Sequence, residues 1–127
     1  MRILIYGHSG SGKTTLAKQL VKHYNISYFN GDDVRKMFED YNFTIEGRKI
    51  QADRMKTLSN GTKSCIVDFI CPLDHYRQYY DYTIFMNTIE QSKYKDTNLM
   101  FELGKPNLEI KNWKYNIKEI IDEINLL

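Results

Sequence analysis

A strand-like apolar run, Ile3-Leu4-Ile5-Tyr6, leads directly into Gly7-His8-Ser9-Gly10-Ser11-Gly12-Lys13-Thr14-Thr15 and then into residues with helical spacing. The pattern Gly-x4-Gly-Lys-Thr lets successive backbone N–H groups turn inward around one anion, a path open only to residues that tolerate positive φ and lack bulk. Gly7, Gly10 and Gly12 supply that tolerance. Lys13 is expected to reach the β- and γ-phosphates of ATP as a point charge, and Thr14 to place its hydroxyl on Mg²⁺. The backbone from Gly7 to Thr15, with His8, Ser9 and Ser11 between the glycines, would cradle the phosphates at the positive end of a helix. In this slot His8 serves through its main-chain N–H more than through its imidazole. A plain glycine-rich turn between strand and helix is the competing reading.

At 127 residues the chain has room for one hydrophobic core and no second domain, so a single domain over 1–127 is expected. Eighteen basic and sixteen acidic residues leave a net charge of +2, too near balance for a general attraction to nucleic acid or an anionic membrane. Any positive field must be local. Cys65 and Cys71 suit neither a disulfide framework nor a zinc site and are expected as free, buried or semi-buried thiols. No apolar run approaches the length of a membrane span, and the first strand begins at the N-terminus, so the expectation is a cytoplasmic protein. Ten tyrosines could stack on bases, but most fall at strand starts and helix ends, where half-burial is the simpler reading.

Along the chain, Leu16, Ala17, Leu20 and Val21 predict a helix over 15–24 with one apolar face. A short strand over 26–29 then ends at Asn30-Gly31-Asp32-Asp33, a turn exposing two carboxylates, with Asp33 able to cap a helix over 34–38. The next helix is expected from about Gly47 to Leu58, with Ile50, Met55 and Leu58 inward. Cys65-Ile66-Val67-Asp68-Phe69-Ile70 reads as a buried strand, and the acid inside it is either a structural aspartate bonded to backbone or a Walker B acid acting on Mg²⁺. A short helix over 73–80 with Arg77 exposed, a strand over 82–87 and a polar helix over 88–95 carrying Lys93 and Lys95 follow. The remainder reads as a loop to Pro106, a brief strand over 108–110, and a closing helix with Ile117, Ile120, Ile121 and Ile124 on one side. Strands alternating with helical segments imply an α/β, three-layer fold: a parallel five-stranded sheet with helices on both faces.

Three segments, GHSGSGKTT at 7–15, NGDDVR at 30–35 and FICP at 69–72, occur in the order and separation that resemble the adenylylsulfate kinases. Phe43, the Arg48-Lys49 pair and Arg54 are similar to that family's acceptor-binding phenylalanine and basic segment. The resemblance implies the P-loop NTPase fold and transfer of the ATP γ-phosphate, with Mg²⁺, to the 3′-hydroxyl of adenylyl sulfate. It also implies that Asp32 acts on the acceptor hydroxyl and that Arg35, Phe43, Arg48, Arg54 and Ile70 hold a small nucleotide-like acceptor. Lys95 stands where the family's lid arginine would meet ATP, and a homodimer is compatible with the family. This sequence departs from the pattern at Asn30, Gln51 and Cys71, and Lys95 to Phe101 replaces a long basic lid. A kinase for another hydroxyl (a nucleoside, a nucleotide or a polynucleotide 5′-end) and a catalytically weak nucleotide-binding module are the other readings.

Overall fold

In the computed structural model, which describes residues 1–125, five parallel strands form one sheet in the order β2-β3-β1-β4-β5. The strands are β1 (Arg2–Tyr6), β2 (Ser27–Asn30), β3 (Cys65–Asp68), β4 (Tyr82–Met86) and β5 (Leu108–Ile110). Between and after them run α1 (Lys13–Tyr24), α2 (Gly31–Phe38), α3 (Ile45–Asn60), α4 (Asp74–Arg77), α5 (Lys95–Met100) and α6 (Ile117–Asn125). β1 takes the centre because its residues are apolar on both sides, as a strand buried between two helical layers must be.

Alternation along β1 builds two cores. Ile3 and Ile5 point to one face, where they meet Leu16, Ala17 and Leu20 of α1 and Ile120 and Ile124 of α6. Leu4 and Tyr6 point to the other, against Val34 of α2 and Ala52 and Met55 of α3. The three-layer α/β fold expected from the sequence is therefore present. Both cysteines are free and buried.

Several local expectations are corrected. Asn30, not Asp33, caps α2: its side-chain oxygen accepts from the Asp33 N–H at 3.0 Å, so the helix starts at Gly31 and Asp33 lies within its first turn. Thr44 caps α3 by accepting from the Gly47 N–H at 3.2 Å, so the helix starts earlier, at Ile45, and Ile50 faces solvent. Residues 88–94 are not helical; the helix of this region is α5, because Asn98 ties the segment before it into a loop through the N–H and hydroxyl of Ser92. Arg77, expected outside, is buried. Its guanidinium holds the carbonyls of Cys71, Pro72 and Glu102 at 2.8–3.1 Å and lies over the Tyr6 ring at 4.1 Å, which satisfies a charge that could not otherwise be buried.

Candidate active site

The carboxyl ends of β1, β2 and β3 are level: Ile5 pairs with Asp68, and Asp68 with Asn30. In a parallel sheet that edge is where a ligand crevice opens, and here it holds a cavity of about 340 Å³. The loop from Gly7 to Gly12 forms its floor. Gly10 and Gly12 have φ of 83° and 95°, and the Gly12 turn delivers the chain into α1 with no side-chain cap. The first N–H groups of α1 thus face the cavity as an anion site. Lys13, the first residue of that helix, folds back so that Nζ donates to the His8 carbonyl at 2.9 Å. Burial pushes its pKa down, while the charges of Asp68 and Asp32 oppose that shift and favour the ammonium. Thr88 steadies the loop from β4 by donating its hydroxyl to the Ser11 carbonyl at 2.7 Å.

Asp68 ends β3 inside this crevice, 1% exposed. Its Oδ2 accepts from the Thr14 hydroxyl at 3.0 Å, the Tyr28 hydroxyl at 2.6 Å and the Asn30 amide at 3.0 Å. Tyr28 and Asn30 are two apart on β2, so strand alternation puts both on the face that meets Asp68. Burial, followed by the bond to Asp68, drives the Tyr28 pKa upward, which keeps the phenol protonated as a donor. Sequence reasoning missed both partners, although the period-two spacing beside an aspartate in the neighbouring strand was the available signal. A threonine hydroxyl and a carboxylate side by side are hard oxygen donors, and they fit Mg²⁺ as a pair.

The opposite wall comes from α2 and α3. Asp32, in the first turn of α2, is exposed and lines the cavity. Arg35 is buried, with Nη1 on the carbonyls of Asp40 and Asn42, both at 3.1 Å; its Nη2 has no partner among the described residues. The Phe43 ring carries the Arg35 guanidinium at 4.4 Å and that of Arg48 at 5.0 Å. Arg48 is buried too, donating to the Phe43 carbonyl at 3.3 Å and to the Thr97 hydroxyl on α5 at 2.7 Å. Burial lowers the pKa of both arginines, but guanidinium pKa values start so high that both stay charged. Ile70 and Gln51 complete the wall, Gln51 donating to the Gly31 carbonyl at 3.0 Å.

Ser9, Gly10, Gly12, Lys13, Thr14 and Thr15 all line the cavity, whereas Gly7, His8 and Ser11 support it from beneath. His8 packs its ring 4.4 Å from that of Phe101, so its side chain faces the core on the far side of the loop. Two residues stand outside the cavity. Arg54 pairs with Asp40 at 2.8 Å and covers the Phe38 ring, and Lys95 is exposed at the start of α5. Trp113, which the sequence did not single out, lines the cavity mouth.

A five-stranded parallel sheet ordered 2-3-1-4-5, with a glycine loop opening α1 and a strand-end acid beside its threonine, defines the P-loop NTPase fold of small kinases. The chain belongs to the AAA domain family, whose model matches residues 3–88. It is 45% identical over 53 residues to an adenylate kinase of Pyrococcus furiosus, covering 41% of this chain and 23% of that protein. It is 29% identical over 109 residues to a tRNA dimethylallyltransferase of Phytoplasma australiense, covering 86% and 33%. The chain thus spans a third or less of the length of these relatives. Among solved structures, it resembles an APS kinase of Mycobacterium tuberculosis, at 20% identity and TM-score 0.67, over 98% of this chain and 96% of that one. A shikimate kinase of Aquifex aeolicus is similar at 20% identity and TM-score 0.67, over 99% and 94%. No helix among the described residues is long and apolar enough to cross a membrane.

Proposed function

We propose that this chain is an ATP-dependent phosphotransferase of the adenylylsulfate kinase type, moving the ATP γ-phosphate to a hydroxyl of a small, anionic, nucleotide-like acceptor. The 3′-hydroxyl of adenylyl sulfate is the favoured one. The observation that carries this reading is that one cavity joins the Lys13 loop to Asp32, Arg35, Phe43 and Arg48. A protein that only bound nucleotide would have no physical need of a carboxylate and two buried guanidinium groups facing the phosphate loop.

In this mechanism Lys13 and the α1 N-terminus hold the β- and γ-phosphates, releasing the lysine from the His8 carbonyl. The Thr14 hydroxyl and the Asp68 carboxylate would hold Mg²⁺, which would supply further positive charge to the phosphate oxygens. Tyr28 and Asn30 keep the Asp68 carboxylate aimed at that place. Across the cavity Asp32 orients the acceptor hydroxyl and takes its proton late, since phosphoryl transfer asks little covalent chemistry of the protein. The unpaired Nη2 of Arg35 pairs with an anionic group of the acceptor, and Arg48 adds its charge beside Phe43. Arg54 acts only indirectly, by holding Asp40.

The test is γ-labelled ATP offered with adenylyl sulfate, AMP, a nucleoside, a 5′-hydroxyl oligonucleotide and shikimate in parallel. The adenylate kinase likeness puts AMP second. Label should pass to adenylyl sulfate, and Lys13→Ala should abolish that transfer while leaving the circular dichroism spectrum unchanged. Transfer to another acceptor would move the assignment to that hydroxyl, and nucleotide binding without transfer to any of them would make this a binding module.

A further inference from the structure

We infer that Tyr28 sets which divalent cation the site accepts: its hydroxyl, with the Thr14 hydroxyl and the Asn30 amide, fills one oxygen of Asp68 and so favours Mg²⁺ over Ca²⁺. The inference deepens the phosphotransferase reading above and rests on its metal site. The hydrogen bonds to Asp68 are one-sided. All three donors, Thr14 at 3.0 Å, Tyr28 at 2.6 Å and Asn30 at 3.0 Å, fall on Oδ2, and no hydrogen bond among the described residues reaches Oδ1. A carboxylate offers about two lone-pair sites on each oxygen, so three donors leave Oδ2 nothing for a cation. Asp68 lines the cavity, and Oδ1 is the oxygen left for one. The Thr14 hydroxyl can keep its proton on Asp68 and still offer a lone pair to a metal, because a hydroxyl donates and accepts at once.

The two cations ask different things of a carboxylate. Ca²⁺ gathers about six to eight oxygens and readily takes both oxygens of one carboxylate, whereas Mg²⁺ demands a small octahedron and keeps several waters. A carboxylate with one oxygen withheld suits Mg²⁺ and denies Ca²⁺ its second contact. Of the three donors, Tyr28 is the one with no other bond to give, since Thr14 opens α1 and Asn30 also caps α2. Its phenol comes from a strand, not a loop. Tyr28 pairs with Ile66 and Asn30 with Asp68 in the register of β2 on β3, the Tyr28 ring packs on the first core, and the Asn30 amide donates to its hydroxyl at 3.3 Å. A cation could recruit Oδ2 only by breaking a short hydrogen bond to a charged group, a loss of roughly tenfold or more in affinity.

Tyr28→Phe keeps the ring on the first core and removes only the hydroxyl. Electron paramagnetic resonance of Mn²⁺, with the non-hydrolysable analogue AMPPNP bound, follows occupancy of the site without turnover, and displacement by Mg²⁺ or by Ca²⁺ gives a dissociation constant for each. The analogue's own metal preference is common to both proteins and cancels. The ratio of the Ca²⁺ to the Mg²⁺ constant should fall about tenfold in Tyr28→Phe, through tighter Ca²⁺ binding, with Mg²⁺ within about threefold of wild type. Tyr24→Phe, which removes a hydroxyl bonded to Asn125 instead, should leave the ratio unchanged. An unchanged ratio in Tyr28→Phe, or equal weakening of both cations, overturns the inference and makes Tyr28 a support of the fold. Infrared difference spectra of the wild type with Mg²⁺, referenced to Asp68→Asn, give a second reading that needs no change at Tyr28. They should show a carboxylate bound through one oxygen, and bands of one bound through both would overturn the inference too. If AMPPNP bound the wild type with none of these cations, the phosphotransferase reading itself would fail.

Discussion

At position 30 an amide serves four neighbours: its oxygen caps α2, and its nitrogen donates to Asp68 and, at 3.3 Å, to the hydroxyls of Thr14 and Tyr28. A carboxylate there would keep the cap but set a second negative charge beside Asp68. Asn30→Asp should therefore destabilise the protein by about 1–3 kcal/mol, and adding Asp68→Asn should restore most of that loss. Urea unfolding of both single variants and the double variant at pH 7 measures the coupling; strictly additive effects would sink the argument. Asp32 has the opposite character, exposed and facing the cavity. Asp32→Asn should lower turnover with the true acceptor by about 10²- to 10⁴-fold while ATP-analogue affinity changes far less. Lost ATP binding with turnover spared at saturation would instead move Asp32 to the loop's support. His8 carries a pH signature. Burial, then the Lys13 charge, holds its pKa below the usual 6.5, so the unfolded chain takes up a proton before the folded one does. Stability should thus fall as pH drops from above 6.5 through the folded-state value, where the loss levels off. His8→Phe keeps a ring against Phe101 and should flatten the difference in unfolding midpoint between pH 7.5 and pH 5.5.

Among the elements, α5 has a role its length would not suggest. Six residues long, it is held by the buried Thr97 hydroxyl, which accepts from the guanidinium of Arg48. This short segment is thus fastened to Arg48 in the cavity wall. Phe101, at its end, stacks on Phe85 and Tyr6 and fixes the segment against the second core. Thr97→Val removes the hydroxyl while nearly keeping the shape. Because a hydrogen bond to a charged group contributes about 1.5–3 kcal/mol, acceptor KM should rise by roughly tenfold or more with ATP affinity unchanged. Thr97→Ser should recover it. Equal losses for donor and acceptor would mean that the contact merely supports the fold.

For the whole molecule, the crevice is a product of two cores pressed on one sheet. α1 and α6 bury one face, α2 and α3 the other, and the site lies where the layers end at the carboxyl edge. The α1 N-terminus and the buried Lys13, Arg35 and Arg48 favour a bound polyanion. ATP with Mg²⁺ at about 100 times Kd should therefore raise the unfolding free energy by about 2.7 kcal/mol, read as a shift in thermal midpoint. Lys13→Ala should abolish the shift. A wild-type midpoint indifferent to nucleotide would refute the site.

Much of this could be read from the amino-acid order alone, since covalent adjacency and local periodicity carry it. The glycine spacing sets the loop, the run from Cys65 to Asp68 marks a strand buried on both faces, and the isoleucines of 117–124 align one face of α6. What stayed out of reach depends on partners far apart in the chain. Arg77 looked exposed because nothing local announces the carbonyls of Cys71, Pro72 and Glu102 or the ring of Tyr6 that surround it. Tyr28 and Asn30 became partners of Asp68 only through the register of β2 on β3. Arg54 and Lys95, which resemble ligand-binding positions in sequence, stand outside the cavity, Arg54 paired with Asp40 and Lys95 at the exposed start of α5. Trp113 reached the loop across a hundred residues because β5 closes the sheet beside β4. Local spacing was enough to name the backbone proposed to receive phosphate, whereas tertiary packing set which side chains stand around it, since burial and long-range pairing fix where a flexible charged side chain can rest.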